Sequence, residues 1–210
     1  EFVMIVLLPK SDGGRRPIGL FFTTVRIWWR ARICDVRAWE ATTALPSIFG
    51  GAGMGAQKAA WQAAFVAEAS ALTKVEFAGG LVDLVKAFET VPHHILVAIA
   101  IELGYPLALL RLCLASYRLK RSIGVEGVFS DTVIATRGIT AGSGTVATEL
   151  KLLLLPLMKM LELQWTKTLV AKVYVDDLTL IVRGFRDSMV KQLAEIMNFV
   201  VQHLEEVLLM

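Results

Sequence analysis

Short apolar runs alternate along the chain with segments whose apolar residues recur at helical spacing. The runs at 2–8, 15–20 and 77–83 are bounded by glycine, proline or aspartate, a pattern typical of strands. A strong turn sequence at 9–14 joins the first two into a predicted hairpin. The helical periods predict helices over 23–45, 57–72, 92–103, 106–119 and 145–163, and a last helix from Asp187, as its N-cap, to the end of the chain.

Two further hairpins are predicted in the second half of the chain. The first pairs 123–125 with 128–135, and the second pairs 169–173 with 178–182. Two adjacent carboxylates stand at the tip of the second, in the sequence Tyr174-Val175-Asp176-Asp177. Their mutual repulsion calls for a positive partner, and Mg²⁺ is a suitable one because it prefers carboxylate oxygen. For these four residues alone, a solvated acidic turn is the alternative.

The chain has no internal repeat and no obvious linker, which predicts one domain with an N-terminal subregion. A length of 210 residues with 55% hydrophobic content is sufficient for a sizeable core. Mean hydropathy is high at +0.59, yet the chain has no run of about 18 apolar residues. We therefore expect buried helices and no contact with a membrane. Within this core we also expect the tryptophans of the first predicted helix, at 28, 29 and 39, while stacking on nucleic-acid bases is the alternative for aromatics interleaved with arginines.

The two cysteines, Cys34 and Cys113, lie far apart in sequence and do not form a disulfide framework or a metal-ligand pattern. A reducing compartment follows, so we expect an intracellular location in the nucleus or cytoplasm. The chain starts with Glu1-Phe2-Val3 and has no initiator methionine, which suggests a fragment of a longer protein. The histidines at 93, 94 and 203 have no ligand partner at suitable spacing, and we expect them at helix starts and on the surface.

Positive charge is concentrated near the start of the chain, although the net charge is only +3. Such a cluster attracts a phosphate backbone without regard to base sequence, while a solvated basic surface is the alternative for any single residue. The basic residues of the first forty positions are Lys10, Arg15, Arg16, Arg26, Arg30, Arg32 and Arg37.

A third acid of interest, Asp83, stands at the end of a predicted strand. If that strand lies beside the acid-tipped hairpin in one sheet, Asp83 can approach Asp176 and Asp177. Three carboxylates at one place can hold two divalent ions. In polymerases and nucleases such ions activate a hydroxyl nucleophile and neutralise charge on the leaving pyrophosphate.

Four segments in order resemble the reverse transcriptases of non-long-terminal-repeat retroelements. The tip Tyr174-Val175-Asp176-Asp177 is similar to their motif with paired aspartates. Asp83-Leu84-Val85-Lys86-Ala87-Phe88-Glu89-Thr90-Val91-Pro92-His93-His94 resembles their first catalytic motif. Thr136-Arg137-Gly138-Ile139-Thr140-Ala141-Gly142-Ser143 resembles their glycine-rich loop, and Arg15-Arg16-Pro17-Ile18 their fingers strand. The resemblance covers about Leu7 to Gly184.

The resemblance implies an α+β fold, the fingers and palm of a right-handed polymerase, with an antiparallel palm sheet and helices packed on one face of it. Residues 1–75 would be mainly fingers and 76–210 mainly palm, incomplete at the C-terminus and without a thumb. The implied activity is RNA-directed DNA polymerase activity, a nucleotidyl transfer with two metal ions. The implied partners are an RNA template, a DNA or RNA primer and deoxynucleoside triphosphates.

By the same resemblance, Asp83 and Asp176 would be the principal metal ligands and Asp177 a supporting one, for two Mg²⁺ ions or Mn²⁺ as a substitute. Phe88 would lie at the sugar 2′ position and exclude a 2′-hydroxyl, which favours deoxynucleotides. Many relatives carry glutamine where this chain has Ala141. The residues assigned to nucleotide binding are Lys10, Arg16, Leu84, Phe88, Gly138, Ala141, Gly142 and Tyr174.

Two other functions stay open at this point. A decayed or domesticated descendant would keep the fold and some nucleic-acid affinity without polymerase activity, and Ala141 and the missing thumb favour it. An RNA-templated RNA polymerase is the second alternative, and Phe88 argues against it if its ring excludes the 2′-hydroxyl.

Overall fold

The computed structural model describes residues 2–11, 13–51 and 54–210, with only the backbone of Asp187. The strands of this part of the chain are β1 Phe2–Pro9, β2 Arg15–Leu20, β3 Glu76–Asp83, β4 Lys120–Val125, β5 Val128–Phe129, β6 Leu169–Tyr174 and β7 Asp177–Gly184. The helices are α1 Thr23–Ala31, α2 Ile33–Thr42, α3 Ala56–Thr73, α4 Ala87–Thr90, α5 His93–Glu102, α6 Leu107–Tyr117, α7 Val146–Gln164 and α8 Arg186–Gln202.

The chain forms two compact units, each assembled from two separate segments. The first unit contains Glu1–Ala41 with Phe88–Glu149, and the second contains Thr42–Ala87 with Leu150–Met210. The predicted α+β class is confirmed by this mixture of helices and sheets. A boundary between fingers and palm near residue 75 stays a prediction.

The first unit contains a four-stranded sheet in the order β2-β1-β4-β5. The predicted hairpin of β1 and β2 is confirmed, with Leu8 opposite Arg16 and Val6 opposite Ile18. On its other side β1 pairs with β4 in parallel, a partnership between distant segments that local patterns do not indicate. The predicted strand over 128–135 is much shorter, since β5 ends at Phe129 and only an isolated bridge at Val133 follows.

Aromatic side chains form much of the first unit's core. The ring of Phe21 makes T-shaped contacts with the rings of Trp29 and Tyr117, with centroids 4.8 and 6.4 Å apart. Trp39 packs against Tyr105 at 5.0 Å and donates its indole N–H to the carbonyl of Leu103 at 2.9 Å. Burial of tryptophans 29 and 39 confirms the core prediction for them, whereas tryptophan 28 is half-buried.

The predicted helix over 23–45 is two helices, interrupted at Arg32. No glycine or proline marks this break, and an ion pair of 3.5 Å between Arg32 and Asp35 follows it. Helix α2 ends at Thr42, three residues earlier than expected. Pro46 disfavours the predicted end at 45, because the residue preceding a proline, here Leu45, avoids helical conformation.

The second unit contains the antiparallel sheet β3-β7-β6, and α8 packs against one of its faces. A Cβ on Gly80 would lie 2.8 Å from Sδ of Met197, so the glycine permits the close approach of α8. Opposite this face, Lys172 is buried and donates to the carbonyl of Ala59 in α3 at 3.5 Å. Helices therefore contact both faces of this sheet, and the expected arrangement of helices on one face is wrong. On the second face, α3 covers Lys172 and supplies the acceptor that a buried lysine requires.

Helices α7 and α8 test two further predictions. The apolar run Leu152 to Leu155 in α7 is buried, as predicted. Helix α8 begins at Arg186 after Phe185, so Asp187 lies inside its first turn and is not its N-cap. The same helix ends in a π-helical turn over His203–Val207. None of the helices in the described residues is long and apolar enough to cross a membrane.

Candidate functional site

The acid-tipped hairpin of the second unit has the form that the sequence predicts. Tyr174, the last residue of β6, pairs with Asp177, the first residue of β7, which leaves only Val175 and Asp176 in the loop. Two-residue loops need positive φ angles, and Val175 has a φ of 60°. A β-branched residue rarely adopts this conformation, whose cost is about 1–3 kcal/mol, and strain of this kind is common at functional sites.

Asp83 lies directly opposite Asp177 in the ladder of β3 and β7. Directly opposed residues of antiparallel strands have Cβ atoms about 4.5–5.5 Å apart, and like charges at that separation destabilise the sheet. Both aspartates are exposed, and Asp176 is half-buried one residue away in the loop. The structure thus places all three acids at one end of the sheet in the second unit.

Carboxylate oxygens are the donors that Mg²⁺ and Mn²⁺ select, so the donor chemistry fits these ions. Among the residues that the structure describes, however, no group of three or more histidine, cysteine, aspartate or glutamate side chains is placed so that it could hold a metal ion. The facing pair Asp83 and Asp177 supplies donors from two strands. Asp176 adds a third carboxylate at the tip without completing a three-membered group.

Two nucleotide-binding candidates of the second unit have different surroundings. Tyr174 is half-buried and stands opposite Asp177 at the hairpin tip. Leu84 follows Asp83 and lines a very small apolar void together with Val173 and Leu178. Packing in the core therefore accounts for Leu84, and its role toward a nucleotide stays a prediction.

Lys172 is a buried cation near the acids that sequence reasoning missed. It lies opposite Thr179. This pair is two residues along the ladder from the pair of Tyr174 and Asp177, and therefore on the same face of the sheet. Burial lowers the pKa of the Lys172 ammonium group, because the charged form is desolvated. The sequence does contain a signal for this cation, a single lysine between apolar residues of β6. Strand alternation places its side chain on the same face as the neighbouring acids.

The glycine-rich loop of the first unit is fixed by backbone hydrogen bonds. The N–H of Gly138 donates to the carbonyl of Val91, and the N–H of Ile139 donates to that of Phe88, both at 2.7 Å. The carbonyl of Ala141 accepts from the N–H of Gly19 at 2.6 Å. The structure therefore brings Phe88, Gly138 and Ala141 together within one unit.

The two glycines assigned to nucleotide binding are required by the fold itself. Gly138 has a φ of 88°, and a Cβ there would lie 2.7 Å from the carbonyl oxygen of Glu89. Gly142 has a φ of 107°, and a Cβ there would lie 2.3 Å from the carbonyl oxygen of Gly19. Close contact with the chain's own backbone thus explains both glycines without a ligand.

His93 begins α5, as predicted for a histidine at a helix start, but it is buried and not on the surface. Its Nε2 lies 2.8 Å from the carbonyl oxygen of Gly138, which joins α5 to the glycine-rich loop. Burial lowers the pKa of His93, and the positive charges of Arg118 and Arg121 add to this shift, while the bond to Gly138 opposes it. This histidine supports the loop.

Two of the residues assigned to nucleotide binding lie on the hairpin of β1 and β2. Arg16 is exposed and stands opposite Leu8, and Lys10 follows β1 with its N–H donating to the carbonyl of Gly14 at 2.8 Å. Their neighbour Arg15 has an ion-pair partner, Glu126, at 3.7 Å. An exposed hairpin with these cations suits an anionic ligand.

A groove of about 310 Å³ in the first unit, here called the arginine groove, combines positive charge with the glycine-rich loop. Arg26, Arg30 and Arg37 are exposed, and none of their guanidinium groups has an ion-pair partner among the described residues. Such unpaired arginines are suited to phosphate oxygens. The groove is lined by Arg26, Trp29, Arg30, Ile33, Arg37, Gly142 and Gly144.

Solved telomerase structures are similar to the chain. Apo telomerase from Candida tropicalis, truncated from its C-terminal domain, aligns with a TM-score of 0.66 at 12% identity over 97% of this chain and 47% of that one. Telomerase from Candida albicans in complex with a TWJ fragment of telomeric RNA aligns with a TM-score of 0.63 at 11% identity, over 93% of this chain and 40% of that one. No protein-family model and no curated protein sequence matches the chain.

At 11–12% identity the similarity shows the fold. Telomerases are a family of reverse transcriptases, so the predicted reverse-transcriptase-like fold is confirmed at this level. The chain spans less than half the length of the telomerase structures that it matches.

Proposed function

We propose that the chain carries out RNA-templated DNA synthesis and derives from a retroelement of the non-long-terminal-repeat type. The observation that supports this function best is the pairing of Asp83 with Asp177 beside a strained two-residue loop that contains Asp176. This arrangement occurs in a chain with the fold of telomerases, which are RNA-templated DNA polymerases.

Asp83 and Asp176, supported by Asp177, would hold two Mg²⁺ ions, with Mn²⁺ as a substitute. When bound, the ions would neutralise negative charge on the leaving pyrophosphate. Since Asp83 and Asp177 are exposed, rotation of their side chains is the movement we expect on binding. In the absence of cations, the two carboxylates repel each other across the strands.

Nucleotide binding in the first unit would involve cations and an aromatic ring. Lys10 and Arg16 would bind the triphosphate from the exposed hairpin. Phe88 is half-buried and would place its ring against the sugar, where a bulky group excludes a 2′-hydroxyl. The loop at Gly138 to Gly142 would approach the nucleotide through its backbone. In the second unit, Leu84 and Tyr174 lie beside the acids and are separate candidates for a nucleotide contact.

The RNA template would bind in the arginine groove. Three unpaired arginines offer phosphate contacts that are independent of base sequence. Telomerase from Candida albicans is solved in complex with an RNA fragment, which agrees with RNA as a ligand of this fold. A DNA or RNA primer and deoxynucleoside triphosphates complete the proposed set of partners.

A nucleic-acid-binding module without polymerase activity is the second candidate. Two observations favour it: no three acids of the described residues form a metal-holding group, and both glycines of the loop are explained by packing. The arginine groove would keep its affinity for RNA in that case.

Primer extension on an RNA template with Mg²⁺ separates the two candidates, with the protein at its full natural length. We expect incorporation of deoxynucleotides, no incorporation by Asp176→Asn, and equal RNA binding by both proteins. Incorporation that survives Asp176→Asn would overturn the assignment of the acids. Absence of incorporation with intact RNA binding would establish the second candidate, and a preference for ribonucleotides would contradict the role of Phe88.

A further inference from the structure

A cavity of about 220 Å³ lies within the first unit, on one face of its sheet. The floor is formed by Ile5 of β1, with Gly19 of β2 and Ile123 of β4 directly opposite it on either side. The roof is formed by residues 133–135 and 139–141. This volume is much larger than that of one water molecule, which takes up about 30 Å³ in the liquid. It is smaller than the volume of pockets that bind drug-sized ligands, so it suits a ligand with a single ring system.

Two polar groups of this cavity are buried without a hydrogen-bond partner among the described residues. They are the hydroxyl of Thr140, in a side chain only 6% exposed, and Nε of Arg121. Another nitrogen of Arg121, Nη2, donates to the carbonyl of Tyr117 at 2.7 Å, which fixes the guanidinium group in place. An unpaired buried donor costs free energy, so these two atoms mark a strained polar wall beside the cavity.

Glu89 supplies the opposite charge at the wall of the same cavity. No ion pair joins it to Arg121 among the residues that the structure describes. Burial lowers the pKa of Arg121, while the nearby hydroxyl of Tyr117 and the carboxylate of Glu89 oppose that shift. The cavity thus presents a fixed donor and an acceptor between apolar walls.

This combination selects the kind of ligand. A simple anion would meet Glu89, and a simple cation would meet Arg121, so each would be repelled by one of them. A neutral planar ring with acceptors beside donors satisfies both groups and packs against the apolar walls. Guanine has this pattern, since O6 and N7 are acceptors that arginine binds, while N1–H and the N2 amino group are donors.

We propose that this cavity binds a guanine base, with Arg121 donating to O6 and Glu89 accepting from N1–H and the N2 amino group. The side chains of Ile5, Ile123 and Ile139 would pack against the ring. The cavity shares Ala141 with the proposed nucleotide-binding set, yet binding of a nucleoside requires no polymerase activity. Failure of this proposal is therefore distinguishable from failure of the proposed function.

Calorimetric titration of the chain with nucleosides tests the proposal. We expect saturable binding of guanosine, and binding of adenosine and uridine that is at least about tenfold weaker. Arg121→Met should weaken guanosine binding about tenfold or more. Ala135→Leu should abolish it by filling the cavity. Arg118→Met serves as the matched control, because this arginine is exposed and lies outside the cavity, and its guanosine affinity should be that of the wild type.

Glu89→Ala is a second variant that does not depend on the folding of the Arg121 variant, because Glu89 is exposed. Alanine has no hydrogen-bond acceptor in its side chain and inosine lacks the N2 amino group, so the preference for guanosine over inosine should disappear in Glu89→Ala. Competition between guanosine and a short RNA with one unpaired guanine separates a free nucleoside from a base within a strand. Equal affinities for guanosine and adenosine, no saturable guanosine binding, or an equal loss in Arg118→Met would overturn the proposal.

Discussion

The hydroxyl oxygen of Tyr117 lies 2.6 Å from Oε2 of Glu149, a carboxyl group that is fully buried in the first unit. The second carboxyl oxygen accepts from the hydroxyl of Thr145 at 2.9 Å. A tyrosine has a single hydroxyl proton, so Tyr117 donates it to Ser143, 2.8 Å away, when the protonated Glu149 donates to Tyr117, and to Glu149 when that carboxyl group is ionised. The buried carboxyl group is thus linked to the end of the glycine-rich loop.

This contact predicts a pH-dependent stability. Burial raises the pKa of Glu149 in the folded chain, and hydrogen bonds from Tyr117, Thr145 and Cys113 offset part of the shift. The folded state therefore keeps its proton at a pH where the unfolded state, near the usual pKa of 4.5, has lost it. The stabilisation by the protonated group is complete below that pH and is lost as the pH rises through the folded-state pKa.

We expect the free energy of unfolding of the wild type, relative to Glu149→Gln, to fall by up to about 1.4 kcal/mol per pH unit above the unfolded-state pKa. Urea unfolding of both proteins from about pH 4 to pH 8 measures this difference. The neighbouring titratable groups do not interfere, because burial also raises the pKa values of Tyr105 and Tyr117 and raises that of Cys113 to about 12. A difference that is constant with pH would contradict the prediction.

The backbone of Val175 gives a second prediction. Its φ of 60° is unfavourable for valine, and asparagine tolerates this region better. Val175→Asn should therefore raise the free energy of unfolding by about 1 kcal/mol. Val175→Ala is the control, because alanine keeps the unfavourable φ. Thermal unfolding compares the three proteins, and equal melting temperatures for the alanine and asparagine variants would argue against strain at the tip.

The glycine-rich loop gives a third prediction. Gly142→Ala would bring a Cβ to 2.3 Å from the carbonyl oxygen of Gly19, in addition to the unfavourable φ. We expect a loss of about 3 kcal/mol or more, the range of severe core and backbone changes. Gly127→Ala is matched, since its φ of 84° is also positive but no atom lies within 4 Å of the new Cβ. Similar urea midpoints for the two variants would show that the loop does not press against Gly19.

Local patterns predicted those parts of the fold in which neighbouring residues determine the result. The tip at Tyr174 to Asp177 follows from two apolar runs separated by four residues, and the β1–β2 hairpin from a turn sequence. The parallel pairing of β1 with β4 and the burial of Glu149 depend on contacts between distant segments. Periodicity does not encode such contacts, so the sequence gives no signal for the burial of Glu149.

The facing acids predict a response to divalent cations that can be measured without activity. Mn²⁺ should raise the melting temperature of the wild type, since a ligand that binds only the folded state stabilises it. Asp83→Asn should reduce that increase, because one carboxylate of the facing pair is lost. Asp131→Asn is the control, an exposed aspartate in the first unit, whereas Asp83 lies in the second. Equal increases in all three proteins would indicate that Mn²⁺ does not bind at the facing pair.

The arginine groove predicts a salt-dependent affinity for RNA. Replacing Arg26, Arg30 and Arg37 together by glutamine should weaken binding of single-stranded RNA of any sequence. Each lost phosphate contact should reduce the slope of log affinity against log salt by about 0.7. Arg32→Gln is the control, because its guanidinium group is already paired with Asp35 at 3.5 Å. Fluorescence anisotropy at several salt concentrations measures both slopes, and an unchanged slope in the triple variant would place the RNA elsewhere.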